Sequence, residues 1–316
     1  MKLIFGTMTF GPQVDLTTSQ KMVDIFLSTG NKELDSAFVY NNGETEKILG
    51  SYLNNIPKEK YSIATKVHPR ITGKLDGDAI DLQFNESLRR MNRNSVDILY
   101  FHFPDNVTPV EKALEKCAVL YESGKFKELG LSNFPSWMVV DIWHLCEKIG
   151  CPKPSIYQGM YNGLCRNVEP ELFPALRKLG MRFYAFNPLA GGMLTGKHLN
   201  FNEKPQPGRF ARLKSYRNRY WKENYFNAVN LLKKQCDIFD IALAEAAYRW
   251  LVNHSELNSE YGDGIIIGAS NLPQLQKNIQ AATQPELPEE IKNAFDEAWS
   301  KVILDSPDYY KYFTKL

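Results

Sequence analysis

The chain has 316 residues, 43% of them hydrophobic and 23% charged, with 38 basic against 36 acidic side chains and a net charge of +2. That balance gives no electrostatic case for nucleic acid or an anionic membrane surface as partner. No stretch reaches the ~18 apolar residues of a membrane span or reads as a secretory signal. The five cysteines (Cys117, Cys146, Cys151, Cys165, Cys236) lack metal-ligand spacing, so we expect free thiols, no metal and a cytoplasmic protein.

Short β-rich runs alternate with helix-periodic ones almost from end to end. The apolar patterning predicts strands at 3–6, 33–35, 62–66, 96–101, 126–131, 156–158, 183–186 and 264–267. Helices are predicted near 17–29, 43–54, 77–92, 108–123, 136–149, 169–180 and 271–281. Eight β/α alternations without a hairpin signal argue for an α/β fold with a parallel sheet, and eight strands close a (β/α)8 TIM barrel. We read residues 1–316 as a single domain. Two segments lie outside the repeat. Residues 197–220, after the seventh strand, carry Pro205, Pro207, Gly208 and a run of basic side chains, and read as a long loop. After the eighth strand, Ile291, Phe295, Ala298, Trp299 and Val302 mark an extra helix, followed by an aromatic tail to Leu316.

In parallel barrels, polar residues at the C-terminal ends of strands are the catalytic candidates. Asp35 ends the second predicted strand in Leu34-Asp35-Ser36-Ala37-Phe38-Val39-Tyr40, with Tyr40 just beyond; Lys66 ends the third, and His102 follows the fourth. Singly, each has a plain structural reading: a turn-capping Asp, an edge Tyr, a solvated Lys, a packed His. Four on adjacent strands of one rim point to chemistry. A phenol of ordinary pKa near 10 is a weak donor at neutral pH, and a neighbouring Lys66 held by Asp35 would lower that value. His102 could donate a hydrogen bond to a carbonyl oxygen as charge develops there. The set suits protonation of a carbonyl that receives hydride. No Gly-x-Ser-x-Gly elbow offers acyl transfer, and no Gly-x-Gly-x-x-Gly follows the first strand.

In order and context, Asp35, Tyr40, Lys66 and His102 resemble the catalytic tetrad of the aldo-keto reductases, barrels that use NADPH. The runs Asp35–Tyr40, Phe183-Tyr184-Ala185-Phe186-Asn187-Pro188-Leu189-Ala190-Gly191-Gly192 and Arg219-Tyr220-Trp221-Lys222-Glu223 look like the branch of aflatoxin-dialdehyde and succinic semialdehyde reductases. That resemblance implies a nicotinamide carboxamide site at Ser132, Asn133 and Gln158, with Phe186 as the stacking aromatic. Thr7, Met8, Asp35, Asn187 and Leu189 are further implied cofactor residues. Gly191-Gly192-Met193-Leu194-Thr195-Gly196-Lys197-His198 nearly completes a P-loop, but His198 stands where a Mg²⁺-binding hydroxyl is needed. Gly191, Gly192 and Lys197 are more consistent with approach to a pyrophosphate. The resemblance puts the adenosine 2′-phosphate at Ser270, with Gln274 and Asn278 near the ribose. Ala269 replaces a basic residue of other branches, leaving Arg209 or Lys277 to supply charge. For substrate, Tyr40 and His102 face the aldehyde. Met8, Phe10, Phe38, Phe103 and Trp221 could line an apolar mouth, and Arg219 matches a carboxylate-gripping residue whose tail partner is Lys311 here. The partner expected is a small aldehyde, and a homodimer is admitted. A cofactor-binding regulatory subunit, resembling potassium-channel β-subunits, is the alternative; the lack of a peptide ahead of the first strand argues for the enzyme.

Overall fold

The computed structural model describes residues 1–206 and 208–311; Pro207 and residues 312–316 of the predicted tail lie outside the described residues. Eight strands, β1 (Lys2–Gly6), β2 (Glu33–Asp35), β3 (Ser62–Val67), β4 (Ile98–Phe101), β5 (Glu128–Ser132), β6 (Ile156–Met160), β7 (Arg182–Phe186) and β8 (Gly264–Ile267), pair in chain order. All pairs are parallel, and β8 returns to β1 to close the barrel. Each predicted strand is present, with ends shifted by two residues or fewer.

Helices α1 (Leu16–Ser28), α2 (Glu44–Leu53), α3 (Gly77–Arg90), α4 (Glu111–Glu122), α5 (Ser136–Ile149) and α6 (Leu172–Leu179) follow successive strands. The region after β7 departs from the predicted loop. It holds α7 (Arg209–Arg212), α8 (Lys214–Tyr220), α9 (Glu223–Ile238) and α10 (Leu243–Asn253). Tyr216 and Tyr220 on α8, and Phe226, Val229, Leu232 and Cys236 on α9, repeat at helical spacing and bind these segments to the core. Then come α11 (Leu272–Ala281) after β8 and the predicted extra helix, α12 (Glu289–Val302). Predicted helix 108–123 begins only at Glu111, because Asp105 Oδ1 accepts the amides of Val107 and Thr108 and holds that stretch in a turn.

Side-chain alternation decides what the barrel encloses. Ile4, Ala64, Ile98, Tyr100, Ile156, Tyr184 and Ile266 form an interior cluster apart from the larger core between sheet and helices. Two residues on from Ala64 and Ile156, the same faces carry Lys66 and Gln158, and Asp35 lies two beyond Glu33. At the entry end of the barrel, Lys2 Nζ bonds Glu33 Oε2 (2.6 Å) and the Tyr184 hydroxyl (2.8 Å). Gly130 on β5 makes room for Tyr100, since a Cβ there would sit 2.3 Å from that ring. At the exit end the inward groups are polar, and they form the site.

Candidate active site

Lys66 ties the exit rim together. Its side chain is wholly buried, and Nζ lies 2.6 Å from Asp35 Oδ2, 2.6 Å from the Ser36 carbonyl and 3.3 Å from the Tyr40 hydroxyl. Three ammonium hydrogens thus meet three acceptors, which is what a charge taken out of water requires. The other carboxylate oxygen, Asp35 Oδ1, accepts from Gln158 Nε2 at 2.8 Å, and the Asp35 carbonyl accepts from the Thr7 amide and hydroxyl. His102 follows β4, its amide bonded to the Val67 carbonyl. Its ring meets that of Tyr40 edge-on at 6.0 Å. The four sequence candidates therefore converge.

Electrostatics assign states to these groups. Burial pushes the Tyr40 phenol well above its usual value; Asp35 and Tyr216 add to this, and Arg209 opposes it. The lowering expected from Lys66 is not found: desolvation penalises the phenolate, Asp35 adds to the rise, and the group that lowers the value is Arg209. Tyr40 accordingly keeps its proton at neutral pH. Burial also pulls Lys66 down, against the carboxylates of Asp35, Glu46 and Glu33. His102 is held well below the ordinary histidine value by burial and by Lys66, His68 and Arg70, so its imidazole is neutral. Its buried Nδ1 has no hydrogen-bond partner among the described residues.

A cavity of about 400 Å³ opens over this cluster. Asp35, Tyr40 and His102 form its floor with Ser132, Asn133 and Gln158, while Met8, Phe103, Phe186, Asn187 and Leu189 line its middle. Gly191, Gly192, Lys197, Arg209, Ser270 and Gln274 extend it, and Arg219 reaches the wall from α8. Thr7, Lys66 and Asn278 stand behind the wall; Asn278 Nδ2 donates to the Gly268 carbonyl at 3.0 Å. Of the two basic candidates for the phosphate, Arg209 lines the cavity, whereas Lys277 is exposed on α11 away from its wall. Trp221 is displaced from its expected place. It packs on His198, Phe210 and Phe226, with Nε1 donating to the Phe201 carbonyl, beside the cavity rather than on its wall. Phe10 is fully buried, and Phe38 lies under the Arg90 guanidinium at 4.2 Å. Lys311 is exposed, with its amide bonded to the Asn133 carbonyl.

Tyr216 is one residue that sequence reading missed. It lines the cavity, donates to Asn187 Oδ1 (3.2 Å), and carries the guanidinium groups of Arg209 and Arg219 over its ring at 4.9 and 5.4 Å. The four-residue spacing of Tyr216 and Tyr220 was the available signal.

The donor set can be tested against a nicotinamide dinucleotide. Asn133 Nδ2 is engaged by the His102 carbonyl and Ser132 Oγ, and Gln158 Nε2 by Asp35, which leaves both amide oxygens to accept from a carboxamide. At α11, the amide and hydroxyl of Ser270 converge on Gln274 Oε1 at 2.9 and 3.0 Å. Two donors aimed at one acceptor oxygen, beside an N-terminus capped by Asn271, are what a phosphate oxygen would use. The residues present fit such a cofactor.

A family model for the Aldo/keto reductase family matches residues 2–300. Among similar proteins, "Aldo-keto reductase family 7 member A3" of Homo sapiens is 42% identical over 98% of this chain and 96% of its own length. "Aflatoxin B1 aldehyde reductase member 2" of Homo sapiens is 42% identical over 98% of this chain and 89% of its own. "Oxidoreductase sirO" of Leptosphaeria maculans is 32% identical over 97% and 96%. The chain belongs to the aldo/keto reductase family, whose members are oxidoreductases that generally use a nicotinamide cofactor. Among the described residues no helix is long and apolar enough to cross a membrane.

Proposed function

We propose that the protein reduces aldehydes to alcohols with NADPH. The observation that carries this reading is the Asp35–Lys66–Tyr40 chain of contacts, with neutral His102 beside it, on the floor of a cavity whose lining extends to Ser270 and Gln274. NADPH would supply hydride to the carbonyl carbon. Ser132, Asn133 and Gln158 would hold its carboxamide, Phe186 would lie against the ring, Gly191, Gly192 and Lys197 would meet the pyrophosphate, and Ser270, Gln274 and Arg209 would meet the 2′-phosphate. Tyr40 holds the proton that passes to the carbonyl oxygen, and His102 orients that oxygen. Lys66, charged and fixed by Asp35, faces the phenolate as it forms, so stabilisation is strongest in the transition state, where it accelerates the step.

The relatives named as aldehyde reductases support an aldehyde over other carbonyl substrates. Arg219 on the cavity wall favours an aldehyde carrying a distal carboxylate. The test is NADPH oxidation by the purified protein across short-chain, aromatic and carboxylated aldehydes, with NADH in parallel. Turnover highest with NADPH and a carboxylated aldehyde is the expected result; no turnover with any aldehyde, despite cofactor binding, would return the protein to the regulatory-subunit reading.

A further inference from the structure

The turn that carries Tyr40 is strained. Asn41 and Asn42, immediately after it, have φ of +47° and +54°, and Gly43 follows at +88°. Three left-handed residues in a row persist only where their surroundings over-determine them. Two side chains do this. From within the turn, Asn41 Nδ2 donates to the Met8 and Phe10 carbonyls, each at 2.8 Å, and so anchors the turn to the loop after β1.

From outside, Arg90 at the end of α3 does more. Its Nη1 donates to the Phe38 carbonyl (3.0 Å), two residues before Tyr40, and to Glu46 Oε2 (3.1 Å). Its guanidinium lies 4.2 Å from the centre of the Phe38 ring and so close to Gly43 that a Cβ there would meet it at 2.5 Å. Glu86, one turn back on α3, fixes Arg90 Nε at 2.9 Å. Glu46 is wholly buried, and its other oxygen accepts from Thr65 Oγ1 at 2.7 Å. Thr65 immediately precedes Lys66 on β3. A continuous path of hydrogen bonds therefore runs from the backbone that presents Tyr40, through Arg90 and Glu46, to the strand that presents Lys66.

We infer that Arg90 and Glu46 are positioning residues for the reduction: together they fix the Tyr40 hydroxyl against Lys66 Nζ. Neither lines the cavity, so neither touches cofactor or substrate. The 3.3 Å between hydroxyl and ammonium is near the outer limit of a hydrogen bond, so a small drift of the turn breaks it. A misplacement of about 1 Å in a reacting group can cost on the order of a hundredfold in rate. Glu46 has a second effect. Lys66 is faced by Asp35 and Glu33 from β2, Tyr40 from the turn, Tyr100 from β4, His102 just after β4, and Glu46 from α2; Glu46 is one of the carboxylates that favour its charged form.

This inference rests on Tyr40 being the acid, so Tyr40→Phe accompanies the test. Arg90→Met keeps the length and apolar stem but loses the donors. It should lower kcat about ten- to a hundredfold while the KM for an aldehyde and the Kd for NADPH, read by quenching of protein fluorescence, stay within about twofold. Arg90→Lys, able to reach one of the two oxygens, should recover part of the loss. Glu46→Gln, similar in size, keeps the protein folded if Arg90→Met does not; it should lower kcat about tenfold and move the alkaline limb of the kcat profile to lower pH. If kcat stays within twofold of wild type in both Arg90→Met and Glu46→Gln while Tyr40→Phe is inactive, the positioning role is overturned. It is equally overturned if kcat and cofactor affinity fall together. If Tyr40→Phe itself turns over normally, the reading of Tyr40 fails and the positioning role is overturned with it, an outcome told apart from the first by the activity of Tyr40→Phe.

Discussion

Asp35→Asn isolates the charge that keeps Lys66 in place. The substitution preserves shape but leaves a fully buried ammonium with neutral acceptors alone, the new amide oxygen, the Ser36 carbonyl and the Tyr40 hydroxyl. Removing one partner of a buried ion pair typically costs about 3–5 kcal/mol, because the remaining charge is uncompensated. Lys66 can escape part of that cost by losing its proton. Burial already pulls its pKa down in the native protein, and Asp35 is the strongest force in the other direction. In the variant the folded-state pKa falls further below the unfolded value. The unfolded chain then binds more protons, so the variant's stability rises with pH towards the ordinary lysine range. Each pH unit contributes at most about 1.36 kcal/mol, which sets a ceiling of about 2.7 kcal/mol between pH 7 and pH 9. Urea unfolding of both proteins at pH 7, 8 and 9 measures this. The deficit of the variant should be largest at pH 7 and shrink as pH rises. A deficit below about 1 kcal/mol, or one independent of pH, would refute a charged Lys66 held by Asp35.

Other predictions follow from the same geometry. Arg219→Ala should lower kcat/KM for succinic semialdehyde about ten- to a hundredfold, the worth of one charge-assisted hydrogen bond, with little effect on 4-nitrobenzaldehyde; equal losses would mean that Arg219 only orders α8 through its stacking on Tyr216 and Tyr220. Arg209→Ala should weaken NADPH much more than NADH in a fluorescence titration, and an equal loss would place the 2′-phosphate elsewhere. His68 is pulled down to about 3 and His102 well below the ordinary value, both chiefly by burial. Between pH 6.5 and 5 the unfolded histidines take up protons that the folded ones refuse, so stability should fall with pH by up to about 1.4 kcal/mol per unit for each histidine. Chemical unfolding of wild type and His68→Asn over that range checks this; the variant should show a shallower slope, and an unchanged slope would remove His68 from the account.

The barrel was readable because its strands are short apolar runs ending in polar residues, and β2 and β8 begin and end where the patterning put them. Asp35, Lys66 and Gln158 were readable as rim residues for the same reason. The α7–α8 region was not, because its Lys and Arg side chains outweighed the two tyrosines that anchor it. Helix α9 shows how a buried stripe (Phe226, Val229, Leu232, Cys236) can be overlooked between the seventh and eighth strands, next to a stretch read as a long loop. The protonation of Tyr40 had no sequence signal. Proximity to a lysine suggested a lowered pKa, whereas the depth of burial, a property of the whole fold, decides the direction. Tyr216 reaches Asn187 across 29 positions of chain, and only the folded backbone brings them together.

The most direct test of the central claim is single-turnover reduction of an aldehyde by Tyr40→Phe and wild type, each saturated with NADPH, followed by loss of the cofactor's absorbance. The account predicts nearly unchanged NADPH affinity in the variant and a rate of hydride consumption lower by two orders of magnitude or more, about the contribution of a positioned general acid. A variant that binds NADPH and consumes it at the wild-type rate would show that the proton comes from another group.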